Sequence, residues 1–301
     1  MDAELTRPVL RAIGAAAVAA LAILCAVATQ PFIARAGASA LLHPARHRVS
    51  RAAPAGCTEA TFAGEGVRLA AWRCAAAAPP RGTIVYLHGI ADNRTSALGV
   101  VDRFRSRGFT VVAYDSRAHG ESEGDVCTYG YFEKQDLRRV LDAIDGGPIV
   151  LIGSSLGAAV AVQEAAGDPR VTALVAAETF SDLRTIAAER APFFFTASTI
   201  RDGFRMAGAQ GGFDVDEVSP LRAAPHITMP ALIVHGADDL DTRPDHSRRV
   251  FDALGGPKRL VIVPGAAHNG SLRPDVWRTI EDWIDQYVPP SDGHDPRSGS
   301  Q

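Results

Sequence analysis

From Pro148 the chain reads PIVLIGSSLGAAVAVQEAA: an apolar run, then Gly153-Ser154-Ser155-Leu156-Gly157, then an alanine-rich stretch suited to a helix. A serine set between glycines at a strand-to-helix turn is built as a nucleophile, because only small residues fit beside it and its hydroxyl stands exposed above the sheet. Ser155 holds that place, whereas Ser154 lies in the register of the strand. A hydroxyl attacks poorly until a base takes its proton, and the base needs an acid to orient it. With this kind of turn the acid and then a histidine follow later in the chain. Two later apolar runs end on such residues. Ala231–Val234 leads into His235-Gly236-Ala237-Asp238-Asp239, and Arg259–Val263 into Pro264-Gly265-Ala266-Ala267-His268. His268 is the candidate base, and Asp238 and Asp239 compete for the acid, with Asp241 less well placed.

These residues require strands that end side by side. Strand-like runs occur at Val67–Trp72, Thr83–Leu87, Thr110–Tyr114, Ile149–Ile152, Val171–Ala176, Ala231–Val234 and Arg259–Val263. Helix-compatible stretches alternate with them at Ser96–Arg107, Tyr131–Ile144, Ser155–Ala166, Pro244–Leu254 and Pro274–Tyr287. Continuous apolar strands alternating with helices predict an α/β fold, a mostly parallel central sheet with helices on both faces. Open sheets of that kind place their sites at the carboxyl ends of the strands, where both candidate segments fall. The segment Thr58–Arg73 reads as an antiparallel hairpin turning at Gly64-Glu65-Gly66, flanked by Cys57 and Cys74. The rhythm breaks over 178–227, a small insertion with the run Phe193-Phe194-Phe195, positioned as a lid. Glu133 and Asp136 read as a solvated or capped helix face.

On these motifs the chain resembles the serine-type α/β-hydrolases from about Val67 to Val288. Leu87-His88-Gly89 resembles the family's oxyanion turn, and Tyr114 to Ser122 (YDSRAHGES) resembles its YDxRGHGxS run, with Ala118 in place of the first glycine. Tyr129-Gly130-Tyr131-Phe132-Glu133, followed by Asp136-Leu137, is similar to a segment of bacterial and membrane-associated members related to acylglycerol and palmitoyl-thioester hydrolases. The resemblance implies the α/β-hydrolase fold, a Ser-Asp-His triad and no cofactor or metal. Its HG-x-x-D register, with Pro244-Asp245-His246-Ser247 following, selects Asp239 as the acid beside Ser155 and His268. It also implies that the backbone N–H of Ile90 joins that of Leu156, at the start of a helix, in an oxyanion hole. His235 and His88 are implied to be structural, with His246 on the helix after the acid loop and His119 packing near the site.

At 301 residues, 47% hydrophobic and 22% charged, the chain has ample material for a core, and a net charge of −3 exerts no long-range pull on nucleic acid. Residues 1–36 read as an N-terminal anchor or signal segment. Ala12 to Ala34 carries no charge and is long enough to span about 30 Å of hydrocarbon. Arg7 and Arg11 together with Ala26-Val27-Ala28 or Ala36-Gly37-Ala38 suit a cleaved secretory signal as the alternative. Arg35, Arg46, Arg48 and Arg51 favour a cytoplasmic domain by the positive-inside rule, against the signal-like start. We expect a single-pass anchor with the domain outside the cytoplasm, a linker over 37–56, the hydrolase-like domain over 57–288 and a disordered tail over 289–301. A Cys57–Cys74 disulfide is open at this point, since both could equally be reduced residues of the core; Cys127 would be the unpaired thiol.

The expected function is hydrolysis of a carboxylic ester or thioester with a small-molecule or lipid-like acyl group, through an acyl-enzyme. An amidase or peptidase of the same fold is the alternative within that chemistry. A membrane-tethered binding protein without turnover is the alternative of another class. Oligomeric state is not legible.

Overall fold

Eight short apolar runs become one sheet, and their burial explains the helices around it. The computed structural model of the chain describes residues 28–290. The strands are β1 (Cys57–Ala63), β2 (Arg68–Cys74), β3 (Gly82–Leu87), β4 (Phe109–Tyr114), β5 (Ile149–Ser154), β6 (Val171–Ala177), β7 (Ala231–Gly236) and β8 (Lys258–Val263). Their order across the sheet is β1-β2-β4-β3-β5-β6-β7-β8; β1 and β2 run antiparallel to their neighbours, and β3 to β8 are parallel. Every residue of β5 and β7 is buried, so both faces of the sheet need cover. One face is covered by α3 (Glu133–Asp142), α4 (Leu156–Ala165) and α8 (Pro244–Ala253), through residues such as Leu137, Val160 and Val250. The other is covered by α2 (Leu98–Phe104) and α9 (Pro274–Tyr287), through Val101, Phe104, Trp277 and Ile280. This is the α/β-hydrolase fold, mostly parallel and flanked by helices, as the sequence predicts.

The hairpin also forms. Gly64 N–H donates to the Val67 carbonyl at 2.7 Å, and Gly66 takes φ of 70°, a value open to glycine without steric cost. Cys57 and Cys74 are paired across the register of β1 and β2 and joined by a disulfide, while Cys127 is free and buried.

Between β6 and β7 the insertion folds as α5 (Leu183–Glu189), α6 (Ala197–Gly211) and α7 (Pro220–Ala223) with short 3-10 turns. Asp182 caps α5 by accepting from Thr185 N–H, and Thr196 caps α6 by accepting from Thr199 N–H. Leu183, Ile186, Phe204 and Phe213 form a third, smaller core. Of the phenylalanine run, Phe193 is 99% exposed and only Phe195 packs inward.

The N-terminal part differs from expectation. Residues 1–27 of the expected anchor or signal segment lie outside the described residues; 28–42 form a helix, α1, so the boundary expected at 36/37 falls inside it. Ala34, Ala38 and Leu42, four apart and therefore on one face, are buried, and Ala38 and Leu42 belong to the insertion's core. The Leu42 carbonyl accepts from Cys127 N–H at 2.8 Å. Beyond α1, Val49 and Ala53 pack against the α2/α9 face. The stretch expected as a linker is thus docked along its length, because small and apolar residues recur among its arginines. No helix among the described residues is long and apolar enough to cross a membrane.

On alkylation of the denatured, unreduced protein, Cys57 and Cys74 should escape modification while Cys127 reacts. Replacing the pair with serines should lower stability by about 3 kcal/mol, the scale for a loop of this length. Direct alkylation of Cys57 or Cys74 would contradict the disulfide.

Candidate active site

The turn after β5 is held in a conformation that an ordinary residue avoids. Ser155 has φ of 50° and ψ of −111°, a strain on the order of 1–3 kcal/mol that surrounding bonds must hold. Its N–H donates to the Ala177 carbonyl of β6 at 2.8 Å, and its carbonyl accepts from Ala159 N–H at 3.1 Å. A side chain at Gly153 would collide with the backbone of α4, and one at Gly157 with the Leu87 and His88 carbonyls at the end of β3. The two glycines therefore set how closely α4 approaches the sheet.

Three strand ends meet at one imidazole. Ser155 Oγ lies 3.0 Å from His268 Nε2, and His268 Nδ1 lies 2.6 Å from Asp239 Oδ2. Asp239 follows β7 and His268 follows β8. Asp239 is buried, while Asp238 is exposed, and Asp241 borders the Ser155 cleft instead of reaching the imidazole. The remaining oxygen of Asp239 accepts from Asp241 N–H at 2.9 Å and Thr242 N–H at 2.8 Å. Burial alone would raise the Asp239 pKa, but hydrogen bonds from His235, His268 and the Thr242 N–H outweigh it and hold the carboxyl well below its ordinary value. Burial alone would lower His268; the bond to Asp239 and the charges of Asp239 and Glu178 outweigh it and raise His268 above 6.5.

Glu178 is the member that sequence reasoning missed, having read it only as the first residue of the insertion. It follows directly on β6 with φ of 58°, is 1% exposed, and places Oε2 3.7 Å from His268 Nδ1. Its carboxylate accepts from Asn269 N–H at 2.6 Å and Ser271 N–H at 3.1 Å, which clamps the loop that carries His268. Asn269 itself has φ of 63°, so that loop too is strained. Glu178, Asp239 and His268 lie close enough to be tested as a metal set. Both carboxylates, however, spend their oxygens on N–H donors, and the imidazole bridges an acid and a hydroxyl. The donor set suits a held proton better than a cation.

Residues 84–279 match the model of the alpha/beta hydrolase family. The chain belongs to that family. It is 28% identical to the uncharacterized protein YqkD of Bacillus subtilis over 67% of this chain and 71% of that protein. It is 26% identical to the uncharacterized protein YfhR of Escherichia coli over 68% and 70%. Among solved structures it is similar in fold to the Pyrococcus furiosus esterase Pf2001, with a TM-score of 0.66 at 19% identity over 82% of this chain and 98% of that one. It is similar also to the Pyrococcus horikoshii acylaminoacyl peptidase, with a TM-score of 0.62 at 16% identity over 80% and 43%.

In this α/β-hydrolase the other histidines are tied into the frame. His235 directs Nε2–H to the Thr242 carbonyl at 2.7 Å and lies 3.2 Å from Asp239 Oδ2, bracing the acid loop. His88 donates from Nδ1 to the Gly89 carbonyl at 2.7 Å and accepts from Ser116 N–H at 3.0 Å, steadying the turn that leads to Ile90. His119 packs edge-on against His88. His246, on α8, bonds Ser181 and Glu189 of the insertion. Ile90 borders the Ser155 cleft, and Leu156 opens α4, where the first N–H groups lack intrahelical acceptors. A Cβ at Gly89 would make ordinary contact with Ser155 Cβ at 3.6 Å, so space beside the serine, not a forced clash, is what this glycine preserves.

The YDSRAHGES run serves the scaffold. Asp115 binds the Arg94 side chain, and Arg117 pairs with Asp136 at 2.7 Å. Glu133 accepts from Thr128 and Gly130 N–H, each at 2.7 Å. Glu133 and Asp136 are therefore buried and internally paired, not a solvated face. Ala118 adopts φ of 61°, which accounts for the glycine usual there and costs the alanine about 1–2 kcal/mol.

Only neutral His268 can take a proton, so kcat/KM should fall on acidification with an apparent pKa above 6.5. Glu178→Gln removes one charge that raises this value, so the acid limb should move to lower pH. An unmoved limb would show that Glu178 does not act on the imidazole.

Proposed function

We propose that this chain is a serine hydrolase that cleaves a carboxylic ester or thioester through an acyl-enzyme. The observation that carries the reading is the unbroken hydrogen-bonded run Asp239–His268–Ser155, with the serine on a strained elbow. Ser155 Oγ attacks the acyl carbon as His268 Nε2 takes its proton, and Asp239 stabilises the imidazolium. The N–H groups of Leu156 and Ile90 bind the oxyanion, each such donor contributing on the order of 3 kcal/mol to the transition state. Collapse breaks the bond to the alcohol or thiol, which leaves with the proton held by His268. Water then gives a proton to His268 as it attacks the acyl-enzyme, and His268 returns that proton to Ser155 Oγ as the carboxylic acid leaves.

The names of the two solved neighbours, an esterase and an acylaminoacyl peptidase, both support cleavage of an acyl bond. The second makes amide cleavage the competing reading. The uncharged run Ala12 to Ala34 supports an N-terminal anchor, and the disulfide supports a domain outside the cytoplasm. Alkylation of Cys57 and Cys74 therefore tests that placement as well, since a cytosolic domain would carry them reduced.

Assayed on p-nitrophenyl acetate, a thioester and an anilide, the wild-type protein should turn over the first two faster than the third. Ser155→Ala and His268→Ala should lower kcat by about 10^6, and Asp239→Asn by about 10^4. Turnover of the anilide alone would favour the amidase, and turnover that survives Ser155→Ala would overturn the proposal.

A further inference from the structure

A cavity of about 530 Å³ lies between α1 and the insertion. That is within the range of about 300–1,000 Å³ typical of ligand pockets. Its walls come from three helices: Ile33 and Leu41 on α1, Leu183 and Ile186 on α5, and Ile200 and Phe204 on α6. Its polar side chains are Thr199, whose hydroxyl is already bound to Gln30 of α1, Tyr129 and Arg190; the rest of the lining is apolar. Its one charged lining residue is Arg190, which also borders the polar cleft of about 450 Å³ that holds Ser155 and His268. Helix α5 runs from one to the other: Leu183 and Ile186 face the apolar cavity, and Glu189 and Arg190 at its end face the cleft. Arg190 is fixed there, donating to the Asp241 carbonyl at 2.7 Å and to Thr242 Oγ1 at 2.9 Å.

We propose that this cavity holds the unbranched hydrocarbon chain of the ester, with the carbonyl at Ser155 and the polar leaving group in the cleft beside Arg190. This rests on the hydrolase reading above for the chemistry, but the cavity can be tested without turnover. The occupant follows from the lining: a mostly aliphatic and aromatic volume shares Arg190 with the polar cleft that holds the nucleophile, which matches a molecule apolar at one end and an ester at the other. The distinctive wall is α1, which precedes the stretch matched by the family and completes the pocket from outside it. Its small residues Ala36, Gly37 and Ala40 keep that wall shallow, and at Gly37 a Cβ would stand only 2.9 Å from the Phe195 ring. Apolar surface continues outward at the mouth, where half-exposed Phe194 meets the ring of fully exposed Phe193. A chain entering from a lipid surface would meet that surface first.

The test uses the full-length chain. Ser155→Ala protein should bind cis-parinaric acid saturably, and adding Ala187→Phe, which fills the cavity from α5, or Ala40→Trp, which fills it from the exposed side of α1, should weaken binding by about tenfold or more. Ala40 is exposed, so this second variant keeps the test open if the first fails to fold. With Ser155 intact, the ratio of kcat/KM for p-nitrophenyl octanoate to that for the acetate should be about ten or more and should fall in both variants. No saturable binding, binding indifferent to both substitutions, or occupancy of the cavity by the chain's own residues 12–27 would overturn the proposal. Serine-dependent acetate hydrolysis with a flat chain-length profile and no binding would strike the cavity alone. Binding without any ester turnover would support the cavity and strike the hydrolase reading instead.

Discussion

The site depends on keeping one imidazole fixed between a buried carboxylate and a serine hydroxyl. Burying Asp239 would cost several kcal/mol if it were left alone, and the structure offsets this with N–H donors on every side: Thr242, Asp241, His268 and His235. The same bonds fix where His268 points, because the ring nitrogen not held by the acid faces Ser155. Parallel strands make this possible. β5, β6, β7 and β8 end on one side of the sheet, so four residues remote in sequence arrive together. Glu178 adds the fourth contact and anchors the loop after β8 through its backbone.

Strain is concentrated at the same edge. Ala91, Ser155, Glu178 and Asn269 all carry positive φ, and each adjoins or forms part of the site. Such conformations persist only where the surroundings over-determine them. Here the fully buried strands β5 and β7, the close approach of α4 and the clamp of Glu178 supply that rigidity. The insertion and α1 pack on each other largely by apolar contact over a cavity, with hydrogen bonds such as those of Arg190 and His246 tying the insertion to the frame. The proposed catalytic residues are thus fixed by hydrogen bonds, while the cavity proposed to hold the acyl chain is shaped mainly by apolar side chains.

The legible parts were those whose signals are local. The elbow, the hairpin turn and the strand ends at His235 to Asp239 and Pro264 to His268 each lie within a few residues of chain. Glu178 was not legible because its partners, Asn269 and Ser271, are 91 and 93 residues away, and nothing near it marks a carboxylate that accepts from backbone. Asp136 misled for the same reason: its partner Arg117 is 19 residues earlier, across a loop. The docking of α1 was hidden by composition, since a face made of Ala34, Ala38 and Leu42 has little amphipathic contrast with its alanine-rich neighbours. The disulfide lay between, for the hairpin brings Cys57 opposite Cys74 but spacing says nothing of the redox compartment.

The central claim is that Ser155 is an activated nucleophile. Its most direct measurement is labelling of the folded protein with a fluorophosphonate probe, followed by peptide mapping by mass spectrometry. The account predicts a single adduct on Ser155, absent in Ser155→Ala and strongly slowed in His268→Ala. Folded protein that takes no label, or an adduct on Ser154 that persists when Ser155 is replaced, would contradict it.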